Sequence, residues 1–211
     1  MTYNVKEIFY TLQGEGTHAG RPAVFCRFSN CNLWTGREKD RARAICQFCD
    51  TDFVGTDGPG GGKFKTAESL ADAVLAEWPD GNNAQRMVVC TGGEPLLQLD
   101  EEVIEAFHDR AFFVAVETNG TQTPPMGIDW LCVSPKIGSQ LVVHAGHELK
   151  LVYPQIGGDP AQFKDLSFGS FRLQPMDGPN VKEDTAAAVK YCLENPQWQL
   201  SLQTHKFLGI P

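Results

Sequence analysis

A basic surplus is missing from this chain. Its 211 residues carry 18 Lys and Arg against 26 Asp and Glu, a formal net charge of −8. Nucleic-acid binders usually leave a basic footprint, so this balance argues against one. Long apolar runs are missing too, and no stretch approaches the ~20 residues that a bilayer-spanning helix needs. The opening residues, MTYNVKEIFYTLQGEG, hold no basic segment leading into an apolar core. No secretory signal is therefore expected, and a cytoplasmic protein is. There is no internal repeat, and no low-complexity tract beyond one short Gly-rich loop. Seven cysteines, an odd number, suggest ligands and buried thiols in a reducing compartment rather than a disulfide framework. Apolar content near two-fifths and a length of 211 residues fit a single domain, residues 1–211, with one sizeable core.

What the sequence does have is an alternation of short apolar strands with helices. Residues 22–29 predict a strand with Val24, Cys26 and Phe28 on one face and Phe25, Arg27 and Ser29 on the other. Residues 66–78 predict a helix capped by Thr66 and stopped by Pro79, and Leu96 to His108 a second one. MVVC, FFVAVE, WLCVS, LKLVY and FRLQ read as strands, Glu183 to Glu194 as a last helix, and WQLSLQ as a closing strand. This order indicates α/β with a parallel sheet. Several strands end in polar or Gly/Pro clusters: TGGEP, ETNG, SPK and QPMDG. Ligands sit at the carboxyl ends of strands in such folds, and a partial TIM-type barrel suits a length short for eight repeats.

Three cysteines, Cys31, Cys46 and Cys49, stand in a C-x14-C-x2-C arrangement. Two readings are about even on spacing alone. One is zinc, with Cys26 as fourth thiolate, although strand alternation groups Cys26 with core residues. The other is a 4Fe–4S cluster with one iron open to an exogenous ligand. A thioredoxin-like role for CQFC lacks the strand that should lead into it. Thr91-Gly92-Gly93-Glu94-Pro95 is expected where a strand meets a helix. Its glycines would let a ligand near the backbone, and Glu94 offers a carboxylate to an ammonium group.

Residues 54–64, VGTDGPGGGKF, fail as a phosphate loop: Asp57 takes the first glycine position and Phe64 replaces Ser/Thr, which leaves a flexible connector. Gln13 and Glu15, between glycines, could read the donor and acceptor edge of a heterocycle. Arg27, in an apolar strand, needs an anion, either a substrate carboxylate or a structural Asp or Glu. Residues 37–43 read as a solvated charged face.

Taken together, LQGEG, the three cysteines followed by Asp50-Thr51, TGGEP, ETNG, SPK, QPMDG and QTHK resemble the radical S-adenosylmethionine superfamily. Within it they are similar to the 7-carboxy-7-deazaguanine synthases of queuosine biosynthesis. The likeness runs from Leu12 to Lys206. It departs at the cluster loop, where fourteen residues separate Cys31 from Cys46 and most of the superfamily has three.

The resemblance implies a radical-enzyme fold with an expanded cluster loop, holding a 4Fe–4S cluster on Cys31, Cys46 and Cys49. S-adenosylmethionine would chelate the open iron, its amine held by Gly92, Gly93 and Glu94. Its adenosine would lie against Phe48, Ser134, Lys136, Gln174 and Met176. Mg2+ would be bound partly by Thr51. Gln13, Glu15, Arg27, Thr91 and His205 would hold 6-carboxytetrahydropterin. A 5′-deoxyadenosyl radical would start its ring contraction, with loss of ammonia, so that the enzyme would be a carbon–nitrogen lyase. A homodimer and a flavodoxin-type electron donor, the latter met by Arg37, Lys39, Arg41 and Arg43, complete the implied picture. Two alternatives remain at this point: a glycyl-radical activating enzyme of the same superfamily, and a non-catalytic zinc module.

Overall fold

Strands whose successive side chains point to opposite faces can feed two cores at once, and this chain does so. The computed structural model describes residues 2–81 and 85–211. Strands β1 (Tyr3–Leu12), β2 (Pro22–Phe28), β3 (Gly62–Phe64), β4 (Arg86–Gly92), β5 (Phe112–Thr118), β6 (Trp130–Val133), β7 (Ala145–Tyr153), β8 (Ser167–Pro175) and β9 (Trp198–Leu200) form one sheet. Its order is β3-β1-β2-β4-β5-β6-β7-β8-β9. From β2 to β9 all neighbours are parallel, whereas β1 runs antiparallel to both β2 and β3. The two edge strands do not pair, which leaves a partial barrel.

The outer face carries the main core. Val24, Cys26 and Phe28 of β2 and Val88 and Cys90 of β4 pack there against helices α1 (Ala67–Glu77) and α2 (Glu101–His108). In α1 the buried residues are Ala67, Leu70, Ala71 and Val74, one helical stripe, and each larger one contributes about 1.5–3 kcal/mol by leaving water. Thr66 and Ser69 close a capping box at its start. A second outer core forms under helix α3 (Val181–Glu194), around Leu149, Leu151, Leu173 and Trp198.

The inner face changes character along the strands. At its lower end it is apolar, with Ala23, Met87, Val89 and Ala115 beside Phe25, Phe113 and Trp130. Two residues further along the same strands come Arg27, Thr91 and Glu117, and β7 and β8 add Lys150 and Gln174. Alternation keeps these polar groups on the inside, and their position puts them at the carboxyl ends.

Three expectations need correction. The parallel sheet gains an antiparallel strand, β1, ahead of residues 22–29. Its alternation is hidden because the register shifts between Val5 and Glu7 and because buried Lys6 is neutralised by Asp52 and Asp57. Residues 54–64 are tied to β1 by backbone hydrogen bonds and end in β3. Gly58 N donates to Lys6 O, Ile8 N donates to Pro59 O, and a Cβ on Gly61 would lie 2.2 Å from Lys6 O. The helix expected from Leu96 to His108 is split: a 3-10 turn covers Pro95–Leu97, and α2 begins at Glu101 under the Asp100 cap. Asp100 accepts from Val103 N and from the buried Tyr3 hydroxyl, so a tertiary contact fixes the later start.

Candidate active site

The carboxyl ends of the strands surround a cavity of about 640 Å3. Cys31, Cys46 and Cys49 reach it from the loop after β2, and Phe48 and Thr51 lie beside them. Arg27, Thr91, Gly92 and Gly93 come from β2 and β4 and their ends, Ser134 and Lys136 from beyond β6, and Gln174 and Met176 from the end of β8. Gln13, Glu15 and His205 close the other side. Of the residues expected to hold the cluster, the cofactor, Mg2+ or the pterin, Glu94 does not line this cavity.

Glu94 has a different place. It is fully buried, and its carboxylate accepts from Leu96 N, Asn119 N and the Thr118 hydroxyl at 2.7–3.0 Å. Burial raises its pKa, while those three donors and the Lys136 charge favour the ionised form. Glu94 thus ties the Gly92-Gly93 turn to the end of β5, a role set by its depth. The glycines also bring two backbones together. A Cβ on Gly92 would fall 2.1 Å from Phe28 O, and one on Gly93 2.0 Å from Asn30 O. They let the β4 end lie directly on the backbone that leads into Cys31.

The expanded loop is braced from within. Arg41 lies 4.0 Å over the Trp34 ring, pairs with Glu38, and donates to the carbonyls of Gln47 and Cys49 at 3.0 Å. Ile45 N donates to Leu33 O, which closes the insert at its base. Arg41 therefore faces the loop, whereas Arg37, Lys39 and Arg43 are exposed. The neighbouring Cys46 and Cys49 thiols act on each other so that the pKa of Cys46 is raised and that of Cys49 lowered, and the Lys136 charge favours both thiolates.

The donor set fits a cluster. Cys26 lies fully buried on the far face of β2, in register with Cys90, and is unavailable as a fourth ligand. Among the described residues, no three His, Cys, Asp or Glu side chains gather tightly enough for a single ion. Three thiols on one cavity are a donor set for a 4Fe–4S cluster with one open iron.

On the opposite wall, Lys150 Nζ sits 2.6 Å from Glu15 Oε2 and 3.2 Å from Glu117 Oε1. Gln13 donates to Glu117 and accepts from Glu15 N, and Gln203 donates to Glu15. Arg27 Nε is held 2.7 Å from Glu7 Oε1, so a structural carboxylate occupies part of its guanidinium. Glu117 and Lys150 escaped the sequence reading, although a lysine inside the apolar run LKLVY carried the same signal that marked Arg27. Lys206, bridging Asp50 and Asp177 at 2.6 Å each, was also missed. Helix α4 (Thr204–Leu208) brings His205 so close to Gly14 that a Cβ there would lie 2.1 Å from Nδ1.

No family model matches the chain. Curated relatives do, over its full length. The 7-carboxy-7-deazaguanine synthases of Caulobacter vibrioides and Bordetella pertussis are each 64% identical over 211 residues, covering 100% of both chains. That of Haemophilus influenzae is 30% identical, covering 99% of this chain and 94% of its own. The solved structure of QueE from Escherichia coli superposes with a TM-score of 0.72 at 25% identity, covering 97% of this chain and 95% of that one. With full-length likeness, fold and cavity in agreement, the chain belongs to the 7-carboxy-7-deazaguanine synthase family.

Proposed function

We infer that the cavity is where 6-carboxy-5,6,7,8-tetrahydropterin becomes 7-carboxy-7-deazaguanine with loss of ammonia. As a member of this family the chain is a radical S-adenosylmethionine lyase of queuosine biosynthesis that works with a 4Fe–4S cluster, S-adenosylmethionine and Mg2+. The glycyl-radical activating and zinc-module alternatives give way to that membership. The observation that carries the reading is the convergence of three thiols, the Gly92-Gly93 turn and a wall of polar strand-end residues on one cavity.

In this reading Cys31, Cys46 and Cys49 hold the cluster. The Gly92-Gly93 backbone holds the cofactor's amine, kept in place by Glu94, and Phe48, Ser134, Lys136, Gln174 and Met176 hold adenosine. When bound, the cluster and cofactor together supply a hydrogen-abstracting carbon radical. The chain's own task is to aim the substrate. Arg27, with Nε engaged by Glu7, turns its terminal nitrogens to the pterin carboxylate, and Gln13, Glu15, Thr91 and His205 frame the ring. Asp50 is paired with Lys206 and Asp52 with Lys6, so Thr51 is left as the loop oxygen for Mg2+. One protein oxygen suits an ion that keeps waters and takes ligands from substrate. Anaerobic turnover of 6-carboxytetrahydropterin by the reconstituted enzyme tests the whole reading, and absence of product overturns it.

Thr51→Ala is expected to weaken Mg2+ stimulation with iron content unchanged; unaltered Mg2+ dependence removes Thr51 from the site. Gly14→Ala is expected to push His205 out of the cavity and raise KM for the pterin roughly tenfold, with full cluster content. Kinetics within twofold of the parent would show that His205 does not frame the ring.

The chain 1–211 works as one domain, in the cytoplasm, as a homodimer reduced by a flavodoxin-type donor. No helix among the described residues is long and apolar enough to cross a membrane. Arg37, Lys39 and Arg43 are the exposed charges that meet an acidic donor. Reversing all three should slow flavodoxin-driven reduction about tenfold at low salt while sparing dithionite-driven turnover. Equal reduction rates and salt dependence would rule the docking out.

A further inference from the structure

Lys150 is used by none of the roles above, and its surroundings are unusual. Its side chain is 4% exposed, midway along the inner wall, and it touches two carboxylates that both line the cavity. Glu15 is otherwise saturated, since Gln203 takes Oε1 and Lys150 takes Oε2. Glu117 is not: Gln13 and Lys150 share Oε1, and Oε2 has no hydrogen-bond partner among the described residues. Gln13 is itself fixed at both ends, by Glu117 and by Glu15 N. The result is a closed ring of contacts with one oxygen left over.

Resting on the pterin reading, we propose that Lys150 is a positioning residue. It holds Glu15 and Glu117 ionised side by side, so that the free Glu117 oxygen accepts from the N–H groups of the substrate's aminopyrimidinone edge. Two carboxylates this near each other in a buried wall cannot both stay charged without a cation between them. Burial disfavours ionised Glu15, and the charge and hydrogen bond of Lys150 outweigh it and keep its pKa low. Cys132 and Glu148 are the other titratable neighbours on this wall. The Cys132 thiol is pushed up by burial, and Glu148 accepts from Thr17 N.

The sign follows directly. In Lys150→Met the stem is kept and the charge lost, so burial favours proton uptake by Glu15. The donor edge of the pterin then competes with that proton. In reconstituted holoenzyme, Lys150→Met should lower kcat/KM for 6-carboxytetrahydropterin at least about tenfold at pH 7, mostly through KM. Its profile should gain a limb rising with pH that the parent lacks. Adding Glu15→Gln removes the second charge, and the double variant should lose that limb. Iron content equal to the parent reports an intact fold in both.

A Lys150→Met profile parallel to that of the parent overturns the assignment. A loss that Glu15→Gln leaves untouched in shape does so too, because a merely structural lysine gives that result. If the parent itself does not turn over carboxypterin, the pterin site falls and this role falls with it. Turnover by the parent with a flat variant profile sinks Lys150 alone.

Discussion

Cys46→Ala is expected to yield a colourless, iron-free protein with no detectable turnover, whereas Cys26→Ala should purify brown and active. Both residues are buried cysteines on the same side of the chain's midpoint, so sequence position does not separate them. Orientation does. Cys46 opens onto the cavity with Cys31 and Cys49, and Cys26 faces the outer core beside Cys90. Losing one of three thiolates leaves two irons without protein ligands, and such a site does not hold its cluster. Losing Cys26 removes one packed sulfur and should cost about 1–2 kcal/mol of stability through the small cavity left behind. Iron analysis and the visible spectrum after anaerobic reconstitution decide between them. Equal iron loss in the two variants would restore Cys26 as a ligand.

The second large effect is expected at Glu94. Glu94→Ala strands the buried amides of Leu96 and Asn119 and the Thr118 hydroxyl. Each orphaned donor costs about 1–3 kcal/mol, so a loss of several kcal/mol and a Tm lower by roughly 10 °C is expected. Glu94→Gln keeps one acceptor oxygen and should fall between. A carboxylate that met the cofactor's ammonium would behave otherwise: the glutamine variant would melt like the parent yet bind S-adenosylmethionine poorly. Melting curves of the two apo proteins, set beside cofactor affinity, separate these outcomes.

Glu94 also shows where sequence reasoning reaches its limit. The motif Gly92-Gly93-Glu94 is visible at once, and so is the strand before it. Burial depth is not visible, and depth is what makes this carboxylate an anchor. The glycines are similar: a ligand's close approach and a crossing of two backbones need the same residue. Strand β1 was hidden by a bulge and by a lysine neutralised from a distant loop, two features that erase a period-two signal. By contrast, α1 was legible because its stripe, cap and stop are all local. The pocket residues were legible for another reason, since parallel strands deliver their ends to one place whatever the loops do. Lys150 could have been found by asking of LKLVY the question asked of PAVFCRFS.

Arg41 has one more consequence. Because the insert between Cys31 and Cys46 is tied to itself through Trp34, Glu38 and the Gln47 and Cys49 carbonyls, its length is uncoupled from the barrel beneath. Any search template that fixes the first cysteine interval at three residues would pass over this chain. One that lets the interval float, and asks instead for two glycines at the end of the next parallel strand, would retrieve it.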